Sequence, residues 1–386
     1  MLGDVDGVHT RAWLRSSVDR GHDLHAISFY EPAEPLDGVT VHVLRPGARG
    51  ARQAARMAGG VQTAGGASAI LGRMPRGLVR LAQALRYRRA GLARVVRAIA
   101  PYVLHAHFLV EHGFYGAAAG FHPYVVTCWG SDVLVEPERD PLSRAIAKWT
   151  IRRADLLTSN NGYMAERLVA LGARRERVEL VTLGADGFFM EDIELSVNVR
   201  PPDPLRRPCV LSTRAHEPLY NVDEIIAAFG RVRPSMPGVR LVVAHGGSQT
   251  AELRCAAAPL DDAVEFAGFL DRPQFRLALH AADVFVSVPS SDGTSVALLQ
   301  AMAAGCFPIG SDLPTQRELV EDGVNGFRVP LHRPDLLGER IERALCDSRL
   351  RRRAVELNRR IVEERGLNER EMAKMDALYR QLAQRT

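Results

Sequence analysis

Lysine is almost missing from this chain: Lys148 and Lys374 are the only two among 50 basic residues, so the formal charge of +5 rests on arginine. An arginine bias of this kind is what a GC-rich coding sequence produces, and no nucleic-acid partner is expected from it. Long apolar runs are lacking too. No window is long and apolar enough to span a bilayer, and no secretory apolar segment opens the chain, so a cytoplasmic setting is expected. Cysteine is sparse. Cys128, Cys209, Cys255, Cys306 and Cys346 are scattered, odd in number and mostly within apolar runs, which argues against a disulfide frame or a metal cluster and for buried thiols. No solenoid repeat and no long low-complexity tract is present.

What is present is a strand-then-helix alternation, stated twice. With 386 residues and 46% hydrophobic side chains, the chain is long enough for two αβ cores. The first half gives a polar glycine loop (GDVDGVH), a helix from about Thr10 to Arg20, and strands at Leu24–Phe29, VTVHVL, VLHAHF, YVVTCWG, LLTSNN and VELVTLGAD. Residues Arg45 to Gly77 are rich in Gly, Ala and Arg and have weak periodicity. Leu78, Leu81, Leu85, Leu92, Val95 and Ile99 then recur at helical spacing and predict one amphipathic helix whose opposite face carries Arg80, Arg94 and Arg97. The second half gives strands at CVLSTR, RLVVAHGG, VEFAGF, DVFVSVPS, CFPIGS and GFRVP, and only helices follow Pro334. The resulting expectation is an α/β fold of two Rossmann-like domains, 1–190 and 209–365, joined by a linker over 191–208, with a closing helix at 366–386 that packs back toward the first domain. A doubly wound domain ordinarily begins with a buried central strand, yet only Met1 and Leu2 precede Gly3-Asp4. An upstream apolar extension is therefore expected.

The densest chemistry lies in PSSDGTSVALLQAMAAG, Pro289 to Gly305. Ser295 is a good N-cap, Val296, Leu299, Met302 and Ala303 make an apolar stripe, and Gly305 can close the helix in the left-handed conformation. A helix start presents free N–H groups and the positive end of its dipole, here to whatever sits over Gly293, Thr294 and Ser295. Asp292 is placed to hold hydroxyls beside that anion, and Gln300 lies about 8 Å further along at about 1.5 Å per residue. An anion flanked by two polyol contacts describes a sugar nucleotide; an ordinary capped αβ helix gives the same pattern.

This segment resembles the nucleotide-sugar signature of the family-4 retaining glycosyltransferases, in which two Glu, separated by seven residues, lead a run ending E-A-M-A-x-G. Here the pair is Asp292 and Gln300. RGHDLHAIS, HAHF, ADLLTSNNGYMAERLVALGA, LVTLGAD and TRAHEPLYNVDEIIAAFGRVRP resemble further family segments in the right order, from about Gly3 to Pro330. The resemblance implies a GT-B architecture, two Rossmann-like domains facing across a cleft, and hexosyl transfer from a nucleoside-diphosphate sugar, UDP favoured, to a hydroxyl of a glycan, lipid-linked or small-molecule acceptor. It also implies retention at the anomeric carbon without metal or cofactor. Arg214 would then meet the diphosphate, Asp292 the sugar and Gln300 the ribose, with Gly246 in the glycine loop after RLVVA near the nucleotide. Gly7 and His9 would face the acceptor, with Trp129, Asp132 and His107 at the sugar end of the first domain. Three departures stand out: Gln300 replaces the second Glu, Leu219 or Tyr220 occupies the place of a phosphate-binding Lys, and Trp129-Gly130 stands where His-Gly is usual. Each residue also has a plainer reading, Arg214 as a salt bridge, Asp292 as a helix-start carboxylate and Trp129 as a lid on the core. Two further activities remain open, a sugar-nucleotide epimerase or hydrolase and a nucleotide-sugar-binding protein with weakened turnover. Peripheral contact with the inner face of a membrane is a further expectation from the arginine-bearing helices.

Overall fold

Apolar runs of three to five residues, rich in Val, Leu and Ile and bounded by turns, form strands at each of the places expected, and every pairing among them is parallel. The structure is a computed structural model that describes residues 1–44, 76–200 and 206–384. Residues 45–75 of the weakly periodic stretch and 201–205 of the expected linker lie outside the described residues. The chain forms two units, Met1–Leu183 with Glu369–Thr386, and Gly184–Asn368.

In the first unit β1 (Leu24–Ser28) pairs with β2 (Val39–Val43), and β3 (Leu104–His107), β4 (Tyr124–Thr127), β5 (Leu156–Ser159) and β6 (Val178–Leu180) pair in that order. The central place that the sequence leaves without a strand is held by Met1 and Leu2. Leu2 N–H donates to the His105 carbonyl at 2.8 Å, its carbonyl accepts from His107 N–H at 3.1 Å, and Ile27 N–H donates to the Met1 carbonyl at 2.8 Å. Leu2 thus bridges β1 and β3 with its side chain wholly buried.

The predicted helix over 78–99 is two helices, Arg76–Arg89 and Leu92–Ile99, broken at Gly91 with φ 87°. Its facing is also corrected. Leu78, Leu81 and Leu85 are exposed, whereas Gly77, Arg80, Ala84 and Tyr87 face inward. Arg80 is buried because Glu136 and Ser143 meet it there, the guanidinium pairing with the Glu136 carboxylate and donating to Ser143 Oγ at 3.1 Å. A buried charge with such partners is tolerated where a lone one would not be.

The second unit carries β7 (Cys209–Ser212), β8 (Arg240–Ala244), β9 (Val264–Gly268), β10 (Val284–Ser287), β11 (Phe307–Ser311) and β12 (Phe327–Val329), in spatial order β9-β8-β7-β10-β11-β12. The expected linker is no free connection over its described part. Residues 193–195 form a 3₁₀ turn, and Asn198 is buried, its amide donating to the carbonyls of Asp283 and Gly305 at 2.9 Å each. Side-chain hydrogen bonding to the backbone, which composition does not reveal, ties it down. The chain passes between units at Leu183/Gly184 and again at Asn368/Glu369, so the last helix, Asn368–Ala383, belongs almost wholly to the first unit. There Tyr379 Oη accepts from Trp13 Nε1 at 3.1 Å and meets His105 Nδ1 at 2.6 Å.

Cys128, Cys209 and Cys306 are buried as expected, but Cys255 and Cys346 are exposed on helices. Among the described residues no helix is long and apolar enough to cross a membrane.

Candidate functional site

The strand order of the second unit fixes where a ligand can sit. β8 and β9 continue to one side of β7, while β10, β11 and β12 continue to the other, so the connections after β7 and β10 diverge and leave a crevice at the strands' carboxyl ends. Arg214 follows β7 and Asp292 follows β10, one on each side of that crevice.

The helix predicted after Gly293 is Val296–Ala303. Ser295 caps it as expected, its side chain accepting from Leu298 N–H at 3.3 Å, and Gly305 takes φ 86°. The cap oxygen has a second partner. Arg214 Nη1 donates to Ser295 Oγ at 2.9 Å and Nη2 to Asp292 Oδ2 at 3.0 Å, so one guanidinium joins the two loops. Asp292 also accepts from Gly293 N–H, and its own carbonyl accepts from Thr315 Oγ1 at 3.0 Å. Burial pushes the Asp292 carboxyl above the usual carboxylate range, against the pull of Arg214 and of that amide. One of the amides expected to face an anion, that of Gly293, is therefore directed at a side chain. Thr294 and Gln300 are half-buried beside it, Gln300 on the helix itself.

Gly246 lies in the loop after β8. Its carbonyl accepts from His216 N–H at 3.1 Å, and a Cβ on the next residue, Gly247, would fall 2.5 Å from the His216 carbonyl oxygen, so only glycine lets the two loops approach this closely. The site also holds a residue that the sequence leaves ambiguous. Of Leu219 and Tyr220, Leu219 is exposed, while the Tyr220 ring lies under Arg214, with the guanidinium carbon 4.2 Å from the ring centroid. The stacking depends on a 3₁₀ turn at Pro218–Tyr220 that no spacing rule announces.

The first unit repeats this order, with Leu2 in the central place and β6 added beyond β5, and the residues at its strand ends follow Leu2, β3 and β4. Gly7 precedes the helix Val8–Asp19, and its N–H donates to the Asp4 carbonyl at 3.1 Å. His9, on the first turn, stacks on Trp129 with ring centroids 4.7 Å apart and 14° between planes. The structure brings those two residues together, a contact the sequence did not announce.

Two others are not where the sequence puts them. His107 is fully buried with its neighbour His105, edge-on to Trp13 and Trp129, and burial holds both imidazoles well below their usual pKa, His105 at about 3. Alternation across a strand does not expose one of them because helices cover both faces of a parallel sheet. Asp132 is also buried and spends its oxygens on the backbone, accepting from Leu109 N–H at 2.8 Å, Trp129 N–H at 3.0 Å and Gly130 N–H at 2.8 Å. It braces the loop that presents Trp129 and does not itself point at a ligand. Phe108, which the sequence did not single out, takes φ 67° at the end of β3, and its ring lies 6.4 Å from Trp129. A left-handed aromatic residue carries a backbone cost.

Comparison with known proteins places these features in a family context. The model described as "Glycosyl transferases group 1" matches residues 200–361, and that described as "Glycosyl transferase 4-like" matches residues 77–161. A phosphatidyl-myo-inositol mannosyltransferase of Mycobacterium tuberculosis is 34% identical over 126 residues, covering 32% of each chain, so the match spans about a third of that relative's length. The amylovoran biosynthesis glycosyltransferase AmsK of Erwinia amylovora is 25% identical over 58% of this chain and 57% of its own. Among solved structures, sucrose-phosphate synthase of Thermosynechococcus elongatus superimposes with TM-score 0.74 at 17% identity, over 100% and 99% of the two chains. Anabaena HepE, solved with UDP and glucose, gives TM-score 0.72 at 15% identity over 98% of each. At such identities the structural likeness establishes the fold.

Proposed function

We propose that this chain, a family-4-like glycosyltransferase of GT-B fold, moves a hexosyl unit from a nucleoside-diphosphate sugar to an acceptor hydroxyl with retention at the anomeric carbon. The observation that carries the reading is the convergence of Arg214, the Ser295-capped helix start and Asp292 at the topological switch point of the second unit. A UDP-sugar is the favoured donor, an assignment supported by the UDP and UDP-glucose bound to Anabaena HepE.

Heterolysis of the sugar–phosphate bond leaves its charge on the diphosphate and an oxocarbenium-like sugar. Such a site needs fixed donors at the phosphates more than a nucleophile. Arg214 and the helix amides supply them, with the free N–H edge of the guanidinium turned to the phosphate oxygens. Asp292 orients the sugar hydroxyls and Gln300 the ribose. The acceptor hydroxyl attacks from the face the diphosphate leaves and gives its proton to a phosphate oxygen, so neither a carboxylate pair of the glycosidase kind nor a metal enters the scheme. The acceptor, a glycan, lipid-linked or small-molecule hydroxyl, approaches Gly7, His9 and Trp129. The protein works in the cytoplasm or peripherally at a membrane surface, in keeping with the lipid acceptor named in its mycobacterial relatives.

A thermal-shift screen against UDP-, GDP- and other nucleotide sugars tests the donor assignment, because ligand at 100 times its dissociation constant adds about 2.7 kcal/mol of stability. NMR of the product's anomeric proton tests retention. A melting temperature that no nucleotide sugar raises would overturn the assignment. A second reading, a nucleotide-sugar-binding protein with weakened turnover, is motivated by Tyr220, a neutral ring where a second cation is usual, and by Gln300. It is distinguished by donor binding without nucleotide release in the presence of any acceptor.

A further inference from the structure

A guanidinium on a flexible stem binds an oxyanion in a fork only when its plane is already set, and three contacts set the plane of Arg214. Ser295 Oγ and Asp292 Oδ2 each take one N–H of the two terminal nitrogens, at 2.9 and 3.0 Å. The third contact is the face of Tyr220, 4.2 Å from the guanidinium carbon. The two hydrogen bonds fix one edge of the fork, and the ring stops the plane from rotating about that edge. The remaining N–H groups, on Nε and on the second hydrogen of each terminal nitrogen, are then held in one plane.

The ring is itself held. Tyr220 N–H donates to the Glu217 carbonyl at 2.9 Å, and Asn221, in the left-handed conformation at φ 49°, buries its amide so that Nδ2 donates to the Val288 carbonyl at 2.8 Å and meets Ser290 Oγ at 2.9 Å. Ser290 N–H returns a bond to the Leu219 carbonyl at 2.8 Å. The segment carrying the ring is therefore stitched to the loop that carries Asp292. The ring packs against the core of the second unit and Arg214 lies on it.

We propose that Tyr220 is a positioning residue for diphosphate binding: its π face holds the Arg214 guanidinium in the plane that receives the phosphate oxygens. The proposal rests on the reading of Arg214 as the diphosphate ligand.

The test is calorimetric titration of the full chain with UDP, GDP and uridine. Tyr220→Phe keeps the ring and should bind the diphosphates within about twofold of the unaltered protein. Tyr220→Leu fills the core without a π face and should weaken them about tenfold while uridine affinity is unchanged. In an Arg214→Ala background the same Tyr220→Leu change should have no further effect, because the ring acts through the guanidinium. Should Tyr220→Leu lower the melting temperature, Tyr220→Met reads the same coupling. Diphosphate affinity of the folded leucine and methionine variants within twofold of the unaltered chain would overturn the proposal, and so would an undiminished loss in the Arg214→Ala background. If the unaltered chain binds neither UDP nor GDP and no nucleotide sugar raises its melting temperature, the donor-site reading itself falls and takes this role with it. Weakened binding confined to the ringless variants leaves the donor site standing.

Discussion

Arg214 spends two of its donors on Ser295 and Asp292, so any phosphate must share a cation that already has an anionic neighbour. Arg214→Ala is expected to weaken a nucleoside diphosphate about tenfold to a hundredfold, the range for hydrogen bonds to a charged group, with uridine little changed in the same titrations. Asp292→Asn removes the charge but keeps an amide oxygen able to accept from Arg214 Nη2, so it should leave UDP affinity nearly unchanged while transfer falls, and a collapse of UDP affinity would show a structural carboxylate. The pH dependence follows. Burial raises the folded-state pKa of Asp292, so the native state binds a proton more readily than the unfolded chain. Between the ordinary carboxylate range and that raised value, stability from this group therefore falls as pH rises and is regained as pH falls. Melting curves of Asp292→Asn should lack this component. At this scale the cluster was legible, since Arg214, Asp292 and Ser295 stand together, while the contact seen between Arg214 and Asp292, an ion pair, is the plainer reading of that arginine. Asp132 and His107 were misread because residue type and position after a strand do not say whether a polar atom turns to a ligand, to the backbone or to a neighbouring ring.

At the scale of elements, the strands were legible because short β-branched runs between turn residues leave the backbone little choice. In the helix over 92–99 the expected Leu92 is buried and Val95 and Ile99 pack partly buried beside it, with Val96 as an unpredicted buried residue, but the preceding helix was assigned the wrong face. A periodicity establishes that a stripe exists; which stripe is buried depends on partners, and here Gly77, Arg80, Ala84 and Tyr87 turn inward, Arg80 to meet Glu136. The helix that closes at Gly305 gives the sharper test. Its left-handed backbone, at φ 86°, admits only glycine without strain, and a Cβ there would lie 2.8 Å from Ser196 Oγ and 2.9 Å from Ile193 Cδ1. Gly305→Ala should cost about 1–3 kcal/mol in denaturant unfolding. Ser295→Ala should cost about 1 kcal/mol for the lost cap and, unlike Gly305→Ala, should also weaken UDP, since Arg214 loses an anchor.

The described residues form two parallel sheets, each with its own core, and the residues proposed to hold the donor all belong to the second. Hydrogen exchange with saturating UDP should therefore slow first in peptides covering 212–221 and 290–300, and protection appearing only in the first unit would contradict the placement of the donor. The last helix stabilises the other sheet. Tyr379→Phe leaves Trp13 Nε1 and His105 Nδ1 without their shared partner, and should lower stability by about 1–3 kcal/mol without touching UDP affinity. That helix has a consequence for the order in which the molecule can be made. Residues 184–368 lie between two stretches of the first unit, and their ends run side by side, Ala185 N–H donating to the Gly366 carbonyl at 2.7 Å and Asn368 N–H to the Ala185 carbonyl at 2.9 Å. The second unit is an insertion in the first. As the ribosome advances from amino to carboxyl end, the unit begun first is completed last, after residues 369–384 have emerged. Until then Trp13 and His105 wait for Tyr379 while the inserted unit already has all its strands. Pulse-labelled nascent chains should accordingly become resistant to protease over 184–368 before they do so over 1–183.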